Sequence, residues 1–422
     1  MASSATSRAI TMGALVLAGE AVFSLPFHVA RFFRPTMLSV FGLDNAGLGD
    51  IFAVYGVAAM LAYFPGGVVA DRFSPRKLMA LSLWLTAAGG VLVALAPSVA
   101  LLRGVYAWWG VTTVLLFWAA MIRATSGWGG EVSQGRAFGL LDGGRGLAAA
   151  GLATVAVLVL RQLAGADPAA MNAAARSRAF FTIVAFYATV TTLAGLACWR
   201  LVPDLPPREG PRLPVFGSMG AVLRRPAVWM QAVIVVAAYC GYKSVDNVSL
   251  YARDVLGRNE VEAAAFVTAC AWFRVPSAIA AGLVADRFRA RSVLVVVFAL
   301  LALVYGVVGV VTPTRGPAAA VVVGSIVVTF AAVYALRGVY FALLQETAVP
   351  AEITGTAVGF ISVVGFTPDI FFASLTGRIL DATPGLVGHQ RVFLLLSGIG
   401  AVGAAVALGL PTRDRRRPTG GG

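Results

Sequence analysis

Charged side chains inside long apolar stretches are the residues of this chain best suited to chemistry. In the stretch AAYCGYKSVDNVSLYA, Lys243 and Asp246 lie three residues apart, and Asn247 lies four residues after Lys243. Side chains at these spacings share one face of a helix, and Tyr242 lies beside them. An ammonium, a carboxylate and an amide on one face could bind a polar solute of either charge. The alternative is an ion pair that only neutralises itself within a helix bundle.

Two further carboxylates, each within an apolar run, are candidates for carrying a proton. Glu20 lies in LVLAGEAVF, and Asp369 lies in GFTPDIF. An ionised side chain in apolar surroundings is costly unless it is paired, so both residues require an explanation. Reversible protonation is one explanation. For Glu20, the alternative is a structural acid that is permanently protonated or paired.

The elements that must hold these residues are unusually apolar. Hydrophobic residues make up 59% of the 422 residues, charged residues make up 12%, and the mean hydropathy is +0.84. Soluble proteins carry about 25% charged residues, so the composition excludes an ordinary cytosolic enzyme. The 33 basic residues outnumber the 19 acidic ones. Because the basic residues fall between apolar runs, they indicate membrane orientation rather than nucleic-acid binding.

Twelve apolar stretches are each long enough to cross a membrane, which requires about 20 residues in a helix. They predict an all-α membrane protein whose helices form two pseudo-symmetric six-helix bundles. The proline-rich stretch PDLPPREGPRLP separates the sixth helix from the seventh. We expect an N-terminal bundle over 1–202, a cytoplasmic linker over 203–226, and a C-terminal bundle with a short basic tail over 227–422. The predicted helices are 10–30, 46–69, 77–96, 101–125, 137–160, 179–201, 227–251, 260–284, 292–312, 317–343, 355–376 and 391–411.

Lys and Arg residues favour one side of this predicted topology. If the N-terminus is cytoplasmic, the inner loops and tails hold more of them than the outer loops do. The positive-inside rule therefore predicts a multi-pass protein of the inner membrane with both termini in the cytoplasm.

The stretch VADRF occurs twice, 215 residues apart, in GVVADRFSPRK at 67–77 and GLVADRFRARS at 282–292. Each copy follows the second predicted helix of its half, on the predicted cytoplasmic side. A glycine permits close helix approach, and an aspartate can lie at the positive N-terminus of another helix. Such contacts could clamp the halves on one face; charged loops that only fix topology are the alternative. The candidate gate residues are Gly67, Asp71, Arg72, Arg76, Lys77, Gly282, Asp286 and Arg287.

This repeated stretch resembles the loop motif of the major facilitator superfamily, G-x-x-x-D-R-x-G-R-[RK], with Ser74 where glycine is usual. The resemblance covers the whole chain. It implies the major facilitator fold and alternating access, in which two six-helix halves rock around a site near the bilayer midplane. QGRAFGLLDGGRG (134–146), YCGY (239–242), RGVYFALLQE (337–346) and TGTAVGFISVVGFTPDIF (354–371) are similar to the YihN-type branch, near the organophosphate and sugar-phosphate permeases.

The resemblance also suggests which residues bind substrate. In the related phosphate-exchanging antiporters, helices 1 and 7 each supply a cation to the anion. Lys243 corresponds to this cation in helix 7, and His28 or Arg31 corresponds to it in helix 1. Lysine lacks the planar fork that suits phosphate, which disfavours a phosphate ester and leaves another anionic group. Trp118 and Arg274 could also line the cavity, although Arg274 could equally be structural.

Four other charged residues are candidate gate or structural residues. Asp142 and Arg145 are three residues apart in helix 5 and are expected to pair. Arg123 and Arg337 are 214 residues apart, which suggests equivalent positions in the two halves. The expected partners of these two arginines are Glu131, Glu346 or the aspartates of the repeated loops.

These patterns favour secondary active transport of a small anionic or zwitterionic metabolite. The sequence has no metal-ligand spacing, ATP-binding loop or hydrolase motif, so we expect no metal, cofactor, enzymatic activity or ATP-driven transport. Energy would come from protons or a counter-solute, and we expect a monomer that binds no nucleic acid. Export of amphipathic compounds and a transporter-like membrane sensor are the alternatives.

Overall fold

The computed structural model describes residues 5–95, 98–130, 134–165, 171–205, 219–313, 316–340, 343, 346 and 351–411. Across these residues the regular secondary structure is helical, without strands. Twelve helical spans are long and apolar enough to cross a membrane, which confirms the predicted fold class. Spans 1 to 12 are Thr6–Phe32, Asn45–Tyr63, Pro75–Ala94, Val99–Gly129, Arg136–Ala164, Ala173–Leu201, Pro226–Asp254, Glu260–Ala285, Ala290–Val310, Pro317–Val339, Thr356–Ala382 and Leu386–Gly409.

Seven of the spans lie in uninterrupted helices. A helix satisfies its own backbone hydrogen bonds, as the absence of water in a bilayer requires. The repeated VADRF stretch continues the helix of span 2, so the helix ends at Arg72 rather than at the predicted residue 69. These helices are Asn45–Arg72, Pro75–Ala94, Gln134–Ala164, Ala173–Leu201, Ala290–Val310, Pro317–Val339 and Leu386–Gly409.

Span 1 is interrupted and is longer than predicted. A π-helical segment, Ser24–His28, joins the helices Ala5–Phe23 and Val29–Phe41. The helix continues past the predicted end at residue 30, with Phe33 in a non-helical conformation two residues before Pro35. Proline lacks the N–H group of a regular helix and crowds the preceding turn, which explains the kink. Gly42, with φ of 59°, ends the helix in the left-handed conformation.

Four other spans contain interruptions near their centres. In span 7, a 3-10 turn separates two helices and carries residues that the sequence marks as candidate ligands. Spans 8 and 11 are broken after Ala271 and Gly365, respectively. The segments are Val99–Val111, Thr112–Trp118 (π) and Ala119–Gly129 in span 4; Pro226–Ser244, Val245–Asn247 (3-10) and Val248–Asp254 in span 7; Glu260–Ala271 and Arg274–Arg287 in span 8; Ala351–Gly365 and Pro368–Ala382 in span 11.

The described chain divides into two compact units. The first combines the described residues of Met1–Glu209 with Lys243–Val275 and Asp369–His389, and the second contains the remaining parts of spans 7 to 12. The first unit therefore includes one end of each of spans 7, 8, 11 and 12 besides spans 1 to 6. The division into bundles over 1–202 and 227–422 remains a prediction.

Within the first unit, spans 2 and 11 meet along glycines, which we call the glycine seam. The backbones lie so close that a Cβ at Gly49 would fall 2.5 Å from the carbonyl oxygen of Ala373, and one at Gly56 would fall 2.6 Å from that of Asp369. Gly377 likewise packs directly against the backbone of Asn45. Small residues permit such close helix packing in membranes, so the seam fixes Asp369 against span 2.

Candidate functional site

Four charged side chains from spans 1, 7 and 11 form the central ion-pair cluster, defined as Arg31, Lys243, Asp246 and Asp369. Lys243 Nζ lies 3.2 Å from Asp246 Oδ2 and 3.3 Å from Asp369 Oδ1. Arg31 Nε lies 2.5 Å from Asp246 Oδ1. Two cations and two anions balance, and each carboxylate has a cationic partner.

The interruption in span 7 positions this cluster. Lys243 lies in the last turn of Pro226–Ser244, and Asp246 lies in the 3-10 turn that follows. Asn247 is buried on the same turn. Ser249 Oγ donates a hydrogen bond to the carbonyl oxygen of Arg31 at 3.0 Å, which ties span 7 to span 1.

Two aromatic rings face the Lys243 ammonium. Its Nζ atom lies 4.4 Å from the ring centroid of Phe27 and 5.1 Å from that of Phe52. The two rings stack almost parallel, with centroids 5.8 Å apart. A cation over aromatic faces is attracted by the ring electrons, most strongly where water is excluded. The Lys243 side chain is only 3% exposed, so the ammonium is held by carboxylates and rings together.

Five ionisable residues form a second group, the Glu20 cluster, in the same unit. Glu20 Oε1 lies 3.1 Å from His28 Nε2 and 3.2 Å from Arg274 Nη1, and Oε2 lies 3.1 Å from Arg145 Nε. Asp142 Oδ1 lies 3.4 Å from Arg274 Nη2. Glu20 is thus held by three groups from spans 1, 5 and 8. Glu20 is therefore paired, which is one of the alternatives that the sequence left open for it.

Two glycines make room for the guanidinium groups of the Glu20 cluster. A Cβ at Gly146 would lie 3.1 Å from Arg274 Cδ, and one at Gly19 would lie 3.1 Å from Arg145 Cδ. The expected pair between Asp142 and Arg145 is wrong, because Arg145 contacts Glu20 while Asp142 contacts Arg274. Arg145 and Arg274 therefore both contact an acid, Glu20, that is distant from them in sequence.

Several predicted binding residues have other contacts. His28 and Arg274 belong to the Glu20 cluster. Trp118 packs edge-on against Phe23, with ring centroids 6.1 Å apart. In the second unit, the guanidinium of Arg337 lies 4.1 Å over the ring of Tyr242. Trp118, Tyr242 and Arg337 thus have aromatic packing contacts, and their predicted roles stay predictions.

The two glycines of the repeated stretch do not make the close helix approach expected of them. A Cβ at Gly67 or Gly282 would meet no described atom within 4 Å. It is the neighbouring Gly66 that packs tightly, since a Cβ there would lie 3.1 Å from the carbonyl oxygen of Val114. Close packing of span 2 in this region therefore involves the π-helical segment of span 4.

The arginines of the repeated stretch contact the ends of neighbouring spans. Arg76 Nη2 lies 2.9 Å from Asp204 Oδ2, beyond span 6, and Arg291 donates to the carbonyl oxygens of Ala407 and Leu408 at the end of span 12. Arg76 and Arg291 are 215 residues apart, so the two copies make equivalent contacts within their own units.

The other candidate gate residues differ in their partners and in their exposure. Arg123 donates to the carbonyl oxygens of Ala70 and Phe73, at 2.5 Å and 3.3 Å. Glu346 accepts from the backbone N–H of Ala290 at 2.6 Å. Asp71 is partly buried, whereas Arg72, Lys77 and Arg287 are exposed; the Asp286 side chain and Glu131 lie outside what the structure describes.

Sequence reasoning missed a polar group at the start of span 2, the Asn45 cluster, formed by Arg34, Asn45 and Asp381. Asp381 accepts from the backbone N–H groups of Asn45 and Ala46, at 3.1 Å and 2.7 Å, and from Asn45 Nδ2 at 2.9 Å. Arg34 Nη2 donates to Asn45 Oδ1 at 3.1 Å. Burial lowers the pKa of Arg34 to about 10, so this guanidinium stays charged at neutral pH. In the sequence these residues look like ordinary loop charges.

A second ionic contact lies beside the Asn45 cluster. Asp50 accepts from Ser374 Oγ at 2.5 Å and pairs with Arg378 Nη1 at 3.1 Å. Together with the glycine seam, these contacts join the first turns of span 2 to the last turns of span 11. This end of the first unit is therefore closed by backbone packing, a capped helix terminus and an ion pair.

The twelve spans define a helical protein of the multi-pass membrane class, and comparison with known proteins identifies its family. Residues 4–373 match the sequence profile of the Major Facilitator Superfamily. The chain belongs to this family, whose members are transporters and not enzymes.

Individual relatives agree with this assignment. The chain is 26% identical to the inner membrane protein YqcE of Escherichia coli over 407 residues, which cover 94% of this chain and 93% of YqcE. It is 25% identical to the inner membrane protein YihN of the same organism, covering 96% and 95% of the two chains. The inward-open xylose transporter XylE from E. coli superposes with a TM-score of 0.74 at 15% identity, covering 97% of each chain. At that identity the likeness shows the fold alone.

Proposed function

We propose that this protein is a secondary active transporter of the inner membrane that moves a small anionic or zwitterionic organic metabolite by alternating access. The observation that carries the proposal is the central ion-pair cluster. Ionisable residues within membrane spans are costly and commonly mark substrate or ion pathways. Here four of them, from three spans, meet at one place and are mutually balanced.

The cluster has the chemistry of an exchangeable binding site. Lys243 contacts two carboxylates, while Asp246 contacts two cations. An incoming carboxylate or sulfonate can therefore replace one acid at Lys243 without leaving Asp246 unpaired, because Arg31 still holds it. This shared pairing favours Lys243 as the substrate ligand.

Coupling to protons is proposed to involve Asp369 rather than Glu20. Glu20 is held by His28, Arg145 and Arg274, and its side chain is 3% exposed. Asp369 is 15% exposed and contacts Lys243, which Asp246 also neutralises. Protonating Asp369 would leave one positive charge in the central ion-pair cluster for an anion. Exchange against a counter-solute would use the same site without a proton.

The proposal is tested by ligand screening followed by transport. The purified protein is heated with organic anions, sugar acids, sulfonates and zwitterions, and any compound that raises the melting temperature is then used in counterflow with reconstituted vesicles. We expect at least one compound to be exchanged, and Lys243→Ala to abolish exchange. A matched control, Arg258→Ala, removes an exposed cation that belongs neither to the central ion-pair cluster nor to the candidate gate residues. Equal exchange by Lys243→Ala and wild type would contradict the proposal.

A further inference from the structure

The surroundings of the Lys243 ammonium have the composition of an ammonium-binding site, which we call the ammonium box. Its members are Phe27, Phe52, Asp246 and Asp369, with the ring centroids 4.4 Å and 5.1 Å from Nζ and the carboxylate oxygens 3.2 Å and 3.3 Å away. Aromatic faces combined with carboxylates recognise ammonium ions in general. In this structure a side chain of the protein itself occupies the box.

Movement of Lys243 toward an anionic substrate would empty the ammonium box. The box would then hold two carboxylates beside two aromatic rings, with Asp246 and Asp369 only 9% and 15% exposed. Leaving a buried charge without its partner is strongly unfavourable. A substrate that carried only a negative charge would therefore pair with Lys243 and leave Asp369 without the Lys243 ammonium.

The charge balance of the central ion-pair cluster favours a different ligand. Its two cations and two anions sum to zero, so a simple anion would add an uncompensated buried charge unless a proton entered with it. A zwitterion adds no net charge to the cluster. Its acidic group can pair with Lys243, and its ammonium group can occupy the vacated box.

We propose that the substrate is a zwitterion carrying an ammonium group and a carboxylate or sulfonate, and that the ammonium box binds its cationic end. This inference rests on the proposed function and narrows it. It assigns Phe27 and Phe52 as specificity-determining residues that touch the substrate ammonium.

The first experiment tests the ammonium box in a variant that lacks the Lys243 ammonium. Lys243→Ala should be less stable than wild type, and ethylammonium chloride should raise its melting temperature while leaving that of wild type unchanged relative to sodium chloride. Adding Asp369→Asn and Phe27→Leu to Lys243→Ala should remove the effect of ethylammonium. If Lys243→Ala cannot be purified, Lys243→Ser leaves the box vacant as well, because serine is also too short to reach it. Equal response of wild type and variant to ethylammonium would overturn the proposal.

The second arm uses wild-type protein and probes matched in chain length. Glycine, β-alanine, 4-aminobutyrate and 6-aminohexanoate, with their sulfonate analogues, are compared with the corresponding amine-free acids. We expect at least one zwitterion to bind at least about tenfold more tightly than its amine-free partner, a difference of about 1.4 kcal/mol. Phe27→Leu should reduce that preference.

The outcomes separate this inference from the proposed function. If amine-free acids bind as tightly as the zwitterions, the zwitterion proposal fails while transport of anions stands. If sugar acids or other anions bind and no zwitterion does, the zwitterion proposal likewise fails and transport of anions stands. If neither anions nor zwitterions bind, the proposed function fails as well.

Discussion

At the residue scale, the proposed function depends on how Lys243 is neutralised. The sequence was sufficient to predict its pairing with Asp246, because the two residues are three apart on one helix. The resemblance suggested His28 or Arg31 as the second cation beside Lys243, but the contact with Asp369 could not be predicted, since Asp369 is distant in sequence and reaches Lys243 only through tertiary packing. The same limit explains why Glu20 looked isolated although Arg145 and Arg274 enclose it.

Removing both partners of the Lys243–Asp369 pair distinguishes binding from stability. Lys243→Ala alone leaves Asp369 without the Lys243 ammonium, whereas Asp246 keeps Arg31, and breaking a buried pair typically costs about 3–5 kcal/mol. The double variant Lys243→Ala/Asp369→Asn should recover expression and melting temperature relative to the single variant, yet remain unable to bind the substrate found by screening. Binding close to wild type in the double variant would show that the pair is only structural.

The two candidate proton carriers make different predictions. Asp369→Asn should abolish accumulation driven by a pH gradient and retain counterflow, because the permanently neutral amide mimics the protonated acid. Glu20→Gln should instead lower stability, since it removes the carboxylate that Arg145 and Arg274 share. Accumulation and melting temperature are measured for both variants. Normal pH-driven accumulation in Asp369→Asn would exclude Asp369 as the proton carrier.

At the element scale, the twelve helices follow from apolar length alone, but their interruptions do not. The π-helical segments of spans 1 and 4 have no compositional signature, apart from Pro26 in the first. The glycine seam was also hidden, because the chain contains 47 glycines and only those facing a neighbouring backbone matter. The presence of each helix can therefore be predicted from hydropathy. Which helices touch, and through which residues, depends on the three-dimensional packing.

A methyl group in the glycine seam should force spans 2 and 11 apart. A Cβ at Gly49 would lie 2.5 Å from a backbone oxygen, closer than atoms in contact allow. Gly49→Ala should therefore increase, severalfold, the rate at which a membrane-impermeant maleimide labels a cysteine introduced at Ala373. Gly151→Ala is the control, because its Cβ would meet no described atom within 4 Å. Unchanged labelling in Gly49→Ala would show that the seam stays closed despite the added methyl group.

At the scale of the whole molecule, alternating access requires opposite ends of the transporter to open in turn. The Asn45 cluster closes one end of the first unit, which the charge distribution predicts to be periplasmic. Asp71 lies at the opposite end of the same helix, Asn45–Arg72. The two aspartates Asp71 and Asp381 are thus candidates for stabilising opposite conformations.

Neutralising these two aspartates should shift the conformational equilibrium in opposite directions. Asp381→Asn weakens the cap on the N-terminus of span 2 and should increase maleimide labelling of the cysteine at position 373. Asp71→Asn should decrease that labelling and strongly reduce transport without loss of membrane insertion, with a weaker effect of the same kind from Asp286→Asn. Shifts of the same sign in Asp71→Asn and Asp381→Asn would contradict this assignment.

The ion pair between Arg31 and Asp246 also breaks the symmetry of the sequence. The two residues are 215 positions apart, the same interval that separates the VADRF copies, so they occupy corresponding positions of the repeat. Two identical halves related by a two-fold axis would set like residues, and hence like charges, against each other there. The opposite charges of Arg31 and Asp246 therefore require two halves that differ at this position. A chain assembled from two copies of the first half would place arginine against arginine, so the halves are not interchangeable.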